Sequence, residues 1–169
     1  VVLAAVRQDG RALQFARPTL LADREVVLEA VRDGGGPRGD VEWGQEPDSS
    51  ERRCCHPLEF ASDALKADKD LVLTAVRRDA EALAFASDDL RADVEVVVAA
   101  AAGAGDLASD SLEYAAEHLQ TDKEVVLAWL RSGVPMLVPE ALSADRDVVL
   151  AGVRVLASNL DHASDDLKA

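Results

Sequence analysis

The sequence predicts an all-α fold, a right-handed α-solenoid of about six short helical-hairpin repeats. Two observations carry this prediction. An aspartate followed by a run such as EVVL, DLVL or DVVL recurs along the 169-residue chain, and Asp68 and Asp93 lie 25 residues apart. A second pattern, FAS-x-x-L or a variant of it, precedes each new aspartate. A fixed period of about 25 residues is typical of solenoids, in which no single unit buries its apolar face alone.

Residues 68–92 form the best copy and show why each unit should be a hairpin. Asp68 can accept hydrogen bonds from the free amides at a helix start. The apolar run LVLTAV follows and must be covered on most sides. After a short break, Leu83, Ala86 and Leu90 have the i, i+3, i+7 spacing of one face of a second helix. Two helices joined by a short turn are therefore expected.

We divide the chain into six copies that form one elongated domain over residues 1–169: 1–22, 23–67, 68–92, 93–121, 122–144 and 145–169. The chain starts inside a first helix and stops where another aspartate would follow, so we expect it to be a piece of a longer array. Five aspartates are predicted to cap the opening helices of their copies: Asp23, Asp68, Asp93, Asp122 and Asp145. The second copy contains a loop insertion at 34–57, and the fifth is degenerate.

A recurring aromatic slot fixes the alignment of the copies. Four aromatic residues each lie five positions before a leucine, and that leucine lies three before the next aspartate: Phe15, Phe60, Phe85 and Tyr114. The regular spacing predicts that these side chains belong to the structural core.

The fifth copy departs from the pattern in its second half. Pro135 and Pro139 both oppose a continuous helix there. In its first half, Trp129 stands where three other copies have alanine, and the sixth copy has Gly152 at the equivalent position. We predict that Trp129 is a core residue that compensates for the degenerate hairpin and fills space left by Gly152.

The charge balance excludes some partners. Acidic residues outnumber basic ones by 32 to 18, for a net charge of −14. Nucleic-acid affinity comes mainly from lysine and arginine, so direct nucleic-acid binding is not expected. The charge is explained either by a solvated surface or by an acidic face that meets a basic partner. The longest uncharged run, 96–105, is far shorter than the roughly 20 residues that span a bilayer. We expect a soluble protein without membrane insertion, peripheral at most to a membrane complex.

The insertion carries the candidate interaction residues Trp43, Cys54, Cys55 and His56. Trp43 either anchors a partner or folds back to cap the neighbouring hairpin, and the sequence does not separate these alternatives. Adjacent cysteines fit a structural zinc site poorly, because such sites use cysteines two to four residues apart. Cys54 and Cys55 are unremarkable thiols, a redox-sensitive pair, or a metal or partner contact.

No residue pattern indicates catalysis. Ser62 and Ser87 recur in the AS-x-x-L turn, where the hydroxyl is expected to cap the next helix. No glycine-rich phosphate loop follows a strand. We therefore predict no catalytic residue, no cofactor and no metal site, and we expect the chain not to be an enzyme.

The pattern D-K/R-E/D-VVL-x-AV followed by AL-x-FAS-x-x-L-K/R-AD resembles the repeat catalogued as domain of unknown function forty-one sixteen, which is abundant in unicellular algae and other protists. The resemblance covers nearly the whole chain, is weakest at 34–56 and 132–139, and brings no known activity. It supports the repeat prediction only. From the repeats and the lack of a catalytic pattern we expect a non-catalytic interaction or structural repeat protein whose partners are other protein subunits. The abundance of the family in algae adds a narrower expectation. On this basis we expect a peripheral subunit or linker of a large assembly, specifically an algal photosynthetic supercomplex, with the chloroplast as a candidate compartment. The alternative is the recognition arm of an enzyme whose catalytic domain lies outside this segment.

Overall fold

The computed structural model describes residues 2–8, 10–33, 56–103 and 111–168. Every regular element in these ranges is helical, which confirms the all-α prediction. The α-helices are Val2–Gln8, Pro18–Leu21, Arg24–Asp33, Pro57–Phe60, Asp63–Lys66, Lys69–Val76, Asp88–Arg91, Val94–Gly103, Glu117–Gln120, Lys123–Arg131, Arg146–Val155 and Asp165–Lys168. The 3₁₀-helices are Gly10–Phe15, Ala80–Phe85, Ser111–Tyr114, Glu140–Leu142 and Ala157–Leu160. None of the helices in these ranges is long and apolar enough to cross a bilayer.

The chain divides into two compact units, Val1–Leu71 and Val72–Ala169, with the boundary inside the helix Lys69–Val76. In the first unit, Val2–Gln8 packs against Arg24–Asp33, and the 3₁₀-helix Gly10–Phe15 contacts both. The helix Pro57–Phe60 covers the other side of this 3₁₀-helix. The predicted single array over residues 1–169 stays a prediction.

The second unit contains two rows of helices. Val94–Gly103 packs against Lys123–Arg131, which in turn packs against Arg146–Val155. The 3₁₀-helices Ala80–Phe85 and Ser111–Tyr114 pack against each other and form the second row. The elements that open successive copies are therefore neighbours in space within this unit.

Each of the five predicted capping aspartates lies directly before an opening helix and accepts backbone hydrogen bonds. Asp122 is typical, because its Oδ1 accepts from the N–H groups of Glu124 at 2.9 Å and Val125 at 3.1 Å. Oδ1 plays the same role in the other four: Asp23, Asp68, Asp93 and Asp145. The first amides of a helix have no partner within it, so these carboxylates satisfy groups that the helix cannot.

One stripe of each opening helix is buried. It consists of the third, fourth, seventh and eighth residues after the aspartate, which in the fourth copy are Val96, Val97, Ala100 and Ala101; in the sixth copy the eighth, Val153, is half-buried. This spacing places the four side chains on one face of an α-helix. Trp129, at the seventh position of its copy, is fully buried.

The second half of each copy differs from the predicted continuous helix. In the third copy it is the 3₁₀-helix Ala80–Phe85 followed by the four-residue helix Asp88–Arg91, which we call the closing helix. Between them Ala86 and Ser87 are extended, with ψ of 157° and 156°. The prediction that Ser62 and Ser87 cap the next helix through their hydroxyls is wrong, because neither side chain makes a capping hydrogen bond.

The prediction that all four aromatic-slot residues lie in the core is also wrong. Phe15 is 83% exposed and Tyr114 is 38% exposed, while Phe60 and Phe85 are half-buried. The buried slot belongs instead to the leucine two residues earlier: Leu13, Leu58, Leu83 and Leu112. A 3₁₀-helix has three residues per turn, so a residue two positions after an inward-facing leucine points away from its face.

Candidate docking pocket

Backbone hydrogen bonds join neighbouring copies at a fixed position. The acceptor is the carbonyl two residues before an opening aspartate, and the donor is the amide directly before the closing helix of the next copy. Three such bonds are present: Ser62 N–H to Leu21 O at 2.9 Å, Ala116 N–H to Arg91 O at 2.9 Å, and Ser164 N–H to Ser143 O at 3.0 Å. We call these the ladder hydrogen bonds.

Ion pairs join neighbouring copies at a second fixed position. Arg24, directly after one opening aspartate, donates from Nε to Oδ2 of Asp68, the next opening aspartate, at 2.6 Å. Lys123 makes the same contact with Oδ2 of Asp145 at 2.8 Å. In both aspartates Oδ1 caps the helix and Oδ2 holds the cation. The hydrogen bond from the basic side chain holds the pKa of Asp68 and of Asp145 below its ordinary value.

These lowered pKa values predict an acid-sensitive contribution to stability. A carboxylate whose pKa is lower when folded stabilises the protein fully above the ordinary aspartate pKa of about 3.9, and this contribution disappears as the pH falls through the folded pKa. Replacing Asp68 and Asp145 together by asparagine, which still caps a helix, is expected to flatten the fall in melting temperature below about pH 4.

Melting curves of the Asp68→Asn/Asp145→Asn protein between pH 2 and 7, recorded by circular dichroism, measure this effect. Replacing the two cations instead, as Arg24→Met with Lys123→Met, should flatten the curve in the same way while leaving both caps intact. An acid limb as steep as that of the unaltered protein in both variants would refute the role given to these pairs.

The junction between the fourth and fifth copies lacks both connections. The donor position of the ladder hydrogen bond is occupied by Pro139, which has no N–H. The basic position is occupied by Val94, which is 46% exposed. Within the described ranges, the carbonyl of Gln120 therefore has no ladder donor, and Oδ2 of Asp122 has no cation.

A pocket of about 420 Å³ lies at this interrupted junction. The residues lining it come from the fourth, fifth and sixth copies: Leu112, Glu113, Gln120, Thr121, Pro135, Met136, Leu137, Pro139 and Leu156. Most of them are apolar, and none of these described lining residues is Lys, Arg or His. Leu137 is 54% exposed, so the pocket offers an accessible apolar contact. The side-chain amide of Gln120 is held in place, because its Nε2 donates to the carbonyls of Glu113 and Ala115 at 3.0 and 2.9 Å.

The wall of the pocket is a non-helical segment, 134–139, that a single buried side chain holds in position. Asn159, the only asparagine of the chain, is fully buried. Its Oδ1 accepts from the N–H of Val138 at 2.9 Å, and its Nδ2 donates to the carbonyls of Met136 and Gly152, both at 3.0 Å. The bonds to Val138 and Met136 satisfy backbone groups of a segment that has no regular helix of its own.

Gly152 provides the room for this arrangement. A Cβ atom at this position would lie 2.6 Å from Cγ2 of Val138 and 3.1 Å from Nδ2 of Asn159. The nearest atoms above Gly152 thus belong to Val138 and Asn159, and the predicted volume exchange between Trp129 and Gly152 stays a prediction. Pro135 and Pro139 prevent a helix over 134–139, so Val138 enters the space above Gly152 from this non-helical segment.

Of the four residues proposed from sequence as interaction sites, the structure describes only His56. Trp43, Cys54 and Cys55 are outside the described residues. His56 is nearly buried at 9% exposure and caps the helix Pro57–Phe60, where its Nδ1 accepts from the N–H of Leu58 at 3.1 Å. In the ranges that the structure describes, no three His, Cys, Asp or Glu side chains come together as metal ligands would.

One family model matches the chain in three places. The model, described as Domain of unknown function (DUF4116), matches residues 1–35, 52–91 and 68–101, which together make up half of the sequence. The chain belongs to the DUF4116 family. The DUF4116 matches end before Leu112, so the pocket lies beyond them. No curated protein and no solved structure matches the chain.

Proposed function

We propose that the chain is a non-catalytic interaction module, a right-handed α-solenoid of about six copies that binds other protein subunits. The ladder hydrogen bonds support the solenoid, because the same pair of positions joins successive copies at three junctions. Ion pairs between equivalent residues support it at two junctions. Stacking of this kind, with each copy contacting its neighbours, is the property that defines a solenoid.

The observation that carries the interaction function is the pocket at the fourth junction. Binding sites are typically concave, mostly apolar and largely formed before the ligand arrives, with a few polar groups that give orientation. This pocket has an apolar lining, a fixed amide at Gln120 and a wall held by Asn159. Its one ionisable lining side chain, Glu113, suits recognition better than chemistry, because acid–base catalysis needs a second group to receive or supply the proton.

The narrower proposal is that the module is a peripheral subunit or linker of an algal photosynthetic supercomplex. It rests on the abundance of the family in unicellular algae, as noted for the sequence pattern. The net charge of −14 supports docking on a basic surface of such an assembly.

Affinity purification of the tagged endogenous protein from its native source, under mild detergent, followed by quantitative mass spectrometry, tests this proposal. The expected result is a fixed stoichiometric set of subunits of one complex. A protein carrying Leu137→Glu, which places a charge in the pocket without disturbing a buried residue, serves as the matched control. Recovery of the unaltered protein alone would contradict the interaction function, and recovery with subunits of a non-photosynthetic complex would contradict the narrower assignment.

A further inference from the structure

We propose that the pocket between the fourth and fifth copies binds an extended peptide segment of a partner protein, in which an apolar residue lies next to a lysine or arginine. This inference rests on the proposed interaction function and names the partner chemistry of the same site. The apolar side chain enters the pocket, and the basic side chain pairs with Asp122. The peptide thus supplies the contacts that a regular junction makes between two copies.

The apolar contact follows from the lining. Leu112, Met136, Leu137 and Leu156 present aliphatic surface around a cavity of about 420 Å³. Leu137 is the most exposed of them, at 54%, and lies on the non-helical wall. A leucine, isoleucine or methionine side chain is smaller than this cavity and would remove its apolar surface from water.

The basic residue follows from the geometry of the other junctions. At two of them a cation sits on Oδ2 of an opening aspartate, while Oδ1 caps the helix. Asp122 has the same capping geometry, but Val94 stands where the cation would come from. No ion pair involves Asp122 in the described part of the chain. Asp122 directly follows the lining residues Gln120 and Thr121, and the lining residue Glu113 adds a second negative charge. A cationic partner residue is therefore complementary to this rim.

The backbone supports an extended peptide rather than a helix. At three other junctions the carbonyl two residues before an opening aspartate accepts an amide from the next copy. The equivalent carbonyl, that of Gln120, receives no such bond in the described part of the chain, because the donor position is Pro139. An extended chain exposes its own N–H groups and can donate one to this carbonyl, whereas those inside a helix are already paired.

The site is formed in advance. Asn159 makes three hydrogen bonds with the wall and with Gly152, so segment 134–139 does not need to be ordered by the ligand. Binding sites that are already ordered lose less conformational entropy on association, which raises affinity for a short peptide.

The test is selection of a phage-displayed library of random nonapeptides on the immobilised full chain. Parallel selections use the Leu137→Glu and Asp122→Asn proteins, together with Asp23→Asn as a matched control. Asp23→Asn makes the same change at another helix-capping aspartate, in the other compact unit, and asparagine preserves both caps. Selected peptides are then synthesised, and their dissociation constants are measured by fluorescence anisotropy.

The unaltered protein is expected to enrich peptides with an aliphatic residue next to lysine or arginine. Leu137→Glu should weaken their binding about tenfold or more. Asp122→Asn should weaken binding by about two- to fivefold and remove the preference for a basic neighbour, as expected for an exposed ion pair. Asp23→Asn should change neither.

Two results would overturn the proposal. If no peptide is enriched, or if enriched peptides lack the aliphatic residue, the pocket does not have the assigned partner chemistry. If enriched peptides bind the Leu137→Glu protein as tightly as the unaltered protein, the chain binds peptides at another surface. That second result would leave the interaction function standing and reject only this site.

Discussion

Replacing Asn159 by leucine is expected to lower the free energy of unfolding by about 3 kcal/mol or more. The two side chains have the same number of heavy atoms and the same branching, so the replacement removes hydrogen bonds without opening a cavity. The N–H of Val138 and the carbonyl of Met136 would lose their partner, while the carbonyl of Gly152 would keep only its bond from the N–H of Leu156. Each buried backbone group left without a hydrogen bond costs about 1 to 3 kcal/mol.

Urea unfolding followed by circular dichroism measures this change. Ser158→Ala is the matched control, because Ser158 is the exposed neighbour in the same 3₁₀-helix and its replacement should stay within about 0.5 kcal/mol. Asn159→Leu should also weaken binding of the selected peptides, since it releases the wall of the pocket. A stability equal to that of Ser158→Ala would show that water or backbone movement replaces the three bonds without cost.

Replacing Trp129 by alanine is expected to cost about 3 to 5 kcal/mol. Trp129 is the largest fully buried side chain of the described residues, and alanine would leave a cavity in the fifth copy. Trp129→Phe separates volume from hydrogen bonding. The indole Nε1 is buried and has no hydrogen-bond partner among the described residues, so phenylalanine loses only part of the volume and no bond.

Trp129→Phe should therefore cost about 1.5 kcal/mol or less, a value typical of a modest change in core shape. Thermal unfolding of both proteins under the same conditions gives the comparison. If Trp129→Phe and Trp129→Ala lower the free energy of unfolding equally, the indole stabilises the protein by a specific contact and not by its volume. Losses near zero in both would remove Trp129 from the core.

The first half of each copy is the part that sequence reasoning predicts well. An aspartate before an apolar run indicates a capped helix, and the structure has a capping carboxylate at all five positions, as Asp122 illustrates. Both features depend on neighbours within four residues along the chain, and local patterns of this kind are readable from one sequence.

The second half of each copy was mispredicted because its apolar residues fit the period of an α-helix as well as that of a 3₁₀-helix. Leu83, Ala86 and Leu90 suit one face of an α-helix, but Leu83 and Ala86 also suit a 3₁₀-helix that ends at Phe85. The regular spacing of the aromatic residues suggested that they are buried, but the side chain of Phe15 is 83% exposed. The buried face of this half is marked by smaller residues, a leucine followed three positions later by an alanine, as in Leu83 and Ala86.

The pocket could not be predicted from sequence, although its causes are visible there. Pro139 and Val94 are ordinary residues until it is known that their positions normally join one copy to the next. That knowledge requires contacts between residues 21 to 44 positions apart, which no local pattern provides. The role of Asn159 could not be predicted for the same reason, because it depends on hydrogen bonds to Val138 and Gly152.

The pocket is an interrupted ladder position, because Pro139 stands where three other copies have a donating amide. Amide hydrogen exchange by NMR on the Pro139→Ser protein tests it most directly. We predict that the new amide at position 139 exchanges as slowly as that of Ala116, because it reaches the carbonyl of Gln120. The reference for fast exchange is the amide of Leu137, which has no acceptor in the described part of the chain. Exchange at position 139 as fast as at Leu137 would contradict the claim.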